Sequence, residues 1–146
     1  MQEVRVAIIG MGIGRYNGRA LAATPRTRIV ALCDLVPERM EEFAQELPNP
    51  VRYYTDYIQV CSDPEVDAVF VGTPNQLHVP VALEAIRQGK HVLVTKPLAE
   101  SVQSARTLVD AAEASGLVAM MSLSTRFADD VQYLGALARA GDFGEM

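Results

Sequence analysis

The chain has 146 residues, enough for one domain with a core of its own, and its 49% hydrophobic and 21% charged content is that of an ordinary globule. A net charge of −5, with 13 scattered Lys and Arg, argues against nucleic acid or an anionic membrane surface as the partner. No run approaches the roughly 18 apolar residues of a membrane span, and the opening MQEVRVAIIGMG lacks the basic segment and small-residue cleavage site of a secretory signal.

Short apolar runs then alternate with helical patterns. VRVAIIG (4–10) predicts a strand, and GRYNGRALAATP (14–25) a helix stopped before Pro25. RIVALCD (28–34) is a second strand. PERMEEFAQEL (37–47) is a helix with Pro37 in its first turn and acidic residues early, as the helix dipole prefers. VRYY (51–54) predicts a short strand and TDYIQVCSDP (55–64) a short helix. VDAVFVG (66–72) is a strand, and LHVPVALEAIRQ (77–88) a helix closed by Gly89. HVLVT (91–95) is a strand, SVQSARTLVDAAEAS (101–115) a helix ended by Gly116, LVAMMS (117–122) a strand and DDVQYLGALARAG (129–141) a last helix.

Near-continuous apolar strands alternating with helices predict an α/β fold, a doubly wound parallel sheet covered on both faces. With no internal repeat or linker, residues 1–146 form one domain on this reading. Ligands of such sheets sit outside the carboxyl ends of the strands. Cys33 and Cys61 lack metal-ligand spacing and read as core thiols of a reducing, cytoplasmic compartment; no metal is expected.

Three strand tips carry chemistry. The first ends in Gly10-Met11-Gly12-Ile13-Gly14-Arg15. A dinucleotide site needs a tight turn, a backbone close to the pyrophosphate and a helix N-terminus facing it. Gly10 and Gly12 suit the first two needs; Gly14 comes one residue before the usual third glycine, where Arg15 stands. Asp34 closes the second strand 22 residues after Gly12, near the roughly 20 expected of a ribose-binding acid. Leu35 and Val36 bring no positive charge to balance a 2′-phosphate, which favours NAD over NADP. Thr73-Pro74-Asn75 leaves the third tip in a constrained turn, where Asn75 serves either a ligand or the next helix as its cap. His78, in that helix's first turn, reads as a partly exposed surface histidine. Lys96, followed by Pro97, ends the buried run HVLVT and delivers an ammonium group to the ligand-binding edge.

The order G-x-G, Asp34, DPEVDAVFVGTPNQLH, AIRQGKHVLVTKPLA, TRF and GDFGEM closely resembles the N-terminal half of the Gfo/Idh/MocA oxidoreductases (glucose–fructose oxidoreductase, inositol dehydrogenase and their relatives) over essentially the whole chain. The resemblance implies a Rossmann fold binding NAD, with NADP the less favoured cofactor. It also implies hydride transfer to or from a sugar, cyclitol or related polyol. It places Gly10, Met11, Gly12, Ile13, Gly14 and Asp34 on the cofactor. Thr73, Pro74, Asn75, His78, Thr95, Lys96 and Pro97 fall on its nicotinamide side, with Lys96 the catalytic residue at the reacting carbon. It further implies a cis Lys96–Pro97 bond, and it is compatible with a homo-oligomer. Departures are Thr95 where the family has Glu, and Asn17 near where a histidine is common. The family's second domain, which carries the acid/base histidine, has no counterpart before the chain stops at GDFGEM. The leading expectation is therefore the cofactor domain of an oxidoreductase, inactive by itself. The alternatives are a dinucleotide sensor without catalysis and another Rossmann class, against which the Thr-Lys-Pro tip argues.

Overall fold

The structure, a computed structural model, describes residues 3–144; Met1, Gln2 and the Glu145–Met146 end of the GDFGEM run lie outside the described residues. Six strands alternate with six helices: β1 (Val4–Ile9), α1 (Ile13–Ala22), β2 (Thr27–Cys33), α2 (Pro37–Ala44), β3 (Arg52–Tyr54), α3 (Tyr57–Ser62), β4 (Ala68–Val71), α4 (His78–Arg87), β5 (His91–Thr95), α5 (Val102–Ser115), β6 (Ala119–Ser122) and α6 (Asp129–Ala140). Two 3-10 turns, Asn75–Leu77 and Ser124–Phe127, precede α4 and α6. All strand pairs are parallel, in the order β3-β2-β1-β4-β5-β6. The winding reverses between β1 and β4, which opens a crevice at their carboxyl ends.

Strand side chains alternate between two cores, as a period of two dictates. On one face Ile8, Leu32 and Phe70 pack with Met40 and Phe43 of α2 and with Met11. On the other, Ala7, Ile9, Val69, Val71, Val92 and Val94 pack with Val81, Ala82 and Ala85 of α4 and Leu108 of α5. Helix ends follow local chemistry. Asp56 caps α3 by accepting from the Ile58 N–H, Ser101 caps α5, and Gly116 and Gly141 adopt left-handed C-caps. The helix at 37 ends at Ala44, three residues short of the sequence expectation, as the chain turns toward Pro48, which cannot extend a helix. Helix α6 buries none of its residues, and a concavity of about 260 Å³ lined by Phe70, Leu93, Val118 and Met120 lies on the sheet.

An ionic network ties the amino ends of the strands together. The Arg5 guanidinium grips Asp67 at 2.7 and 3.0 Å and Glu65 at 2.9 Å. Buried Lys90 donates to the carbonyls of Asp63 and Val66, each at 2.8 Å. The hydrogen bond from Arg5 holds the Asp67 carboxyl below its ordinary value. Burial alone would raise Asp63, but the Glu65 N–H, Tyr54 and Arg52 outweigh it and lower it. A depressed folded-state pKa contributes stability that is present above the unfolded value of about 3.9 and is lost as pH falls through the folded value. Asp67→Asn is therefore expected to be less stable than the parent near pH 7 and to lose less stability on going to about pH 3. Urea unfolding at the two pH values measures both effects; an equal acid loss in parent and variant would contradict the assignment.

Candidate functional site

The sheet brings the expected tips into one row. Gly10 N–H donates to the Cys33 carbonyl at 2.8 Å, and Gly72 N–H to the Ile9 carbonyl at 2.7 Å. Register pairs Ile9 with Val71 and Val71 with Val94. Asp34, Gly10, Gly72–Thr73 and Thr95–Lys96 thus stand side by side across β2, β1, β4 and β5. The row spans three strand intervals, roughly 14 Å at about 4.8 Å each.

The turn after β1 needs its glycines for separate reasons. Gly10 has φ +89°, and a β-carbon there would lie 2.6 Å from the Gly72 carbonyl oxygen. Gly14 presses α1 onto the sheet, where a β-carbon would meet Ile8 at 2.9 Å. Gly18 lets α1 approach α2, where a β-carbon would meet Phe43 at 2.6 Å. The close helix–sheet packing that a third glycine normally provides therefore falls to Gly14. Arg15 turns away to pair with Glu42 and Glu46 of the α2 segment. Gly12 differs from all of these. Its φ is negative, and a β-carbon there would meet nothing within 4 Å. No packing contact requires glycine at this position, which caps α1 and faces solvent; a phosphate group seated on the helix N-terminus would. Ile13 beside it is exposed.

Asp34 straps the turn. Its Oδ2 accepts from the Met11 N–H at 2.6 Å and its Oδ1 from the Val36 N–H at 2.9 Å, with the side chain 9% exposed. A carboxylate offers about four lone-pair sites, so accepting positions remain for ribose hydroxyls. The Met11 side chain meanwhile plugs the core beside Ile8 and Phe70. Sequence alone places no cation beside Asp34; the structure corrects this. Arg39, five residues on, is folded back by the first turn of α2 until its Nη1 lies 3.8 Å from Asp34 Oδ1.

At the β4 tip, Asn75 opens the 3-10 turn, and its side chain caps neither that turn nor α4, so the capping alternative is not realised. The Thr73 hydroxyl oxygen is buried without a hydrogen-bond partner. At the β5 tip Thr95 is buried, and Lys96 is exposed, with no hydrogen-bond or ion-pair partner among the described residues. The Lys96–Pro97 bond is cis. His78 departs from its expected surface position. Its ring is fully buried, with Nδ1 2.6 Å from the Pro97 carbonyl oxygen and Nε2 2.9 Å from that of Thr73. His91 lies at the amino end of β5, where its Nδ1 accepts from the Val118 N–H at 3.0 Å, remote from the tips. A cavity of about 510 Å³ between α2 and the segment before β3 also lies away from this row.

These residues fit a dinucleotide: open space over Gly12, spare acceptors on Asp34, an orphaned Thr73 hydroxyl and an uncommitted Asn75. No group of three or more His, Cys, Asp or Glu residues suited to a metal ion occurs among the described residues. No described helix is long and apolar enough to cross a membrane.

The model of the oxidoreductase family with an NAD-binding Rossmann fold matches residues 4–123. The scyllo-inositol 2-dehydrogenase (NAD(+)) of Bacillus subtilis is 30% identical over 147 aligned positions, which cover 98% of this chain and 42% of that protein. A glycosyl hydrolase family 109 protein of Shewanella pealeana is 30% identical, covering 100% of this chain and 34% of that protein. The crystal structure of Lactobacillus casei scyllo-inositol dehydrogenase, with bound NAD(H) and scyllo-inositol, superposes with a TM-score of 0.90 at 22% identity, a likeness of fold that covers 99% of this chain and 43% of that one. The chain thus spans less than half the length of these proteins. With the strand order, the glycine turn and the Lys-Pro tip already in place, the match over residues 4–123 settles the family: this chain belongs to the Gfo/Idh/MocA oxidoreductases and forms their NAD-binding Rossmann fold.

Proposed function

We propose that the chain holds NAD along the row from Asp34 to Lys96 and serves the oxidation or reduction of a sugar, cyclitol or related polyol. The observation that carries the reading is Gly12, a glycine the protein's own packing does not require, at the helix N-terminus where a pyrophosphate would sit. The dinucleotide, when bound, supplies the hydride acceptor or donor. The remaining work falls to side chains. Asp34 accepts from the ribose hydroxyls, Thr73 and Asn75 meet the nicotinamide half, and Lys96 donates to the reacting oxygen as negative charge develops there. The relatives named as inositol dehydrogenases support the substrate class. Burial pushes both cysteine thiols up to about 12, which leaves them inert and suits a cytoplasmic setting.

Calorimetric titration tests the cofactor choice. NAD is expected to bind more tightly than NADP, because Asp34 repels a 2′-phosphate. Replacing Asp34 with Ser and Leu35 with Arg should narrow or reverse the preference. Arg39→Ala, which removes the cation 3.8 Å away, should widen it. Tighter NADP binding by the unaltered chain would overturn the role given to Asp34.

A further inference from the structure

We propose that His78 is a positioning residue for the nicotinamide half of the site, a buried clasp that sets Lys96 against the Thr73–Asn75 tip. The inference rests on the NAD reading above.

The sheet itself stops holding these two tips just where they matter. The last register pair between β4 and β5 is Val71 with Val94. Beyond it one chain runs into Gly72-Thr73-Pro74-Asn75 and the other into Thr95-Lys96-Pro97, without a ladder between them. The His78 ring bridges this gap. Nδ1 meets the carbonyl of the residue after Lys96, and Nε2 meets a carbonyl two residues before Asn75. A rigid five-membered ring, 0% exposed, therefore fixes the separation of the two segments that flank the nicotinamide.

The choice of residue also needs explaining. Other inward positions of α4 are apolar: Val81, Ala82 and Ala85. A buried polar ring here is matched to two carbonyl oxygens, which only accept; each contact becomes a hydrogen bond only when the facing nitrogen carries hydrogen. A space-filling role would be served as well by phenylalanine, which has the ring and neither donor. Thr95 next to Lys96 is buried, so the β5 tip is anchored on both sides of the lysine while the lysine itself stays free.

The test compares NAD with ADP-ribose, which lacks the nicotinamide, on the parent chain and on His78→Phe, His78→Asn and His78→Gln. The parent is expected to bind NAD more tightly than ADP-ribose. In His78→Phe, NAD affinity should fall about tenfold while ADP-ribose affinity changes less than about twofold, so that the two converge. Asn or Gln, each restoring one donor nitrogen, should recover part of the difference. A preserved gap in His78→Phe would make the ring a filler, and an equal loss for both ligands would make it a support of the whole fold; either overturns the proposal. So would equal affinities for the two ligands in the parent. A parent that binds neither ligand would instead refute the NAD reading. Should the variants fail to fold, the ring N–H signals of His78 in the parent decide: they are expected to shift on adding NAD and to stay in place with ADP-ribose, and no difference between the two overturns the clasp.

Discussion

Gly12→Val is expected to remove NAD binding from a protein that still folds. The glycine has a negative φ, and a β-carbon there would meet nothing within 4 Å, so no collision opposes a side chain. The cost in stability should stay within about 1 kcal/mol, chiefly the poorer helix cap. The branched side chain would occupy the space over the N-terminus of α1, and NAD affinity should fall by about hundredfold or more. Gly10→Ala is the contrasting variant. Its φ of +89° and a contact of 2.6 Å with the Gly72 backbone oppose any side chain, and the obstacle is main chain that cannot swing aside. Strain of this kind costs on the order of 1–3 kcal/mol before the collision is added. Urea unfolding and NAD calorimetry on both variants separate the two effects. A Gly12→Val protein that binds NAD like the parent would mean the cofactor does not cross this turn.

The alternation of strands and helices was legible because each element announces itself locally. HVLVT is a strand of the same five residues in sequence and structure, and Gly89, Gly116 and Gly141 close their helices with positive φ. Asp34 and the glycine turn were legible for a similar reason, since a strand–turn–helix segment brings them together over a short stretch of chain. Boundaries shifted where a proline or a capping side chain, rather than periodicity, decides the first turn. Pro74 starts a 3-10 turn and delays α4 to His78, and Asp56 delays α3 to Tyr57.

What stayed hidden depends on distant partners. His78 looks like a surface residue in LHVPVALE because nothing near it in sequence predicts two carbonyls converging on its ring; one of them comes from Pro97, 19 residues away. Met11 looks like a spacer between glycines, yet its N–H is the donor that Asp34 uses and its side chain fills the core. Arg39 was within reach of the sequence. Pro37 marks the start of α2, and a side chain two positions later can fold back to the preceding strand tip. The two residues directly after Asp34 carry no charge, so the cation shows only when the helix turn is counted.

Binding and chemistry are expected to come apart in this chain. The groups proposed to hold a dinucleotide are gathered along one row, but acid–base capacity is scarce there. His78 is sealed beneath the tips with both nitrogens on carbonyls, and His91 lies at the amino end of the sheet. Neither histidine can exchange a proton with a substrate above the nicotinamide. Lys96 remains as the group at the β5 tip that can polarise a reacting oxygen. Loss of general acid–base help is typically worth about 10²–10⁴-fold in rate, and a pocket that does not orient the substrate adds to it. The 146-residue chain should therefore bind NAD and show essentially no steady-state oxidation of inositols or other polyols. Affinity and turnover measured on the same preparation, the latter by the absorbance of reduced nicotinamide, test this directly. Lys96→Ala is the control, expected to keep the fold's stability within about 0.5 kcal/mol because an exposed side chain with no partner gives up little on truncation. Sustained turnover by the parent that vanishes in Lys96→Ala would show that these residues suffice for catalysis, and the separation of binding from chemistry would be wrong.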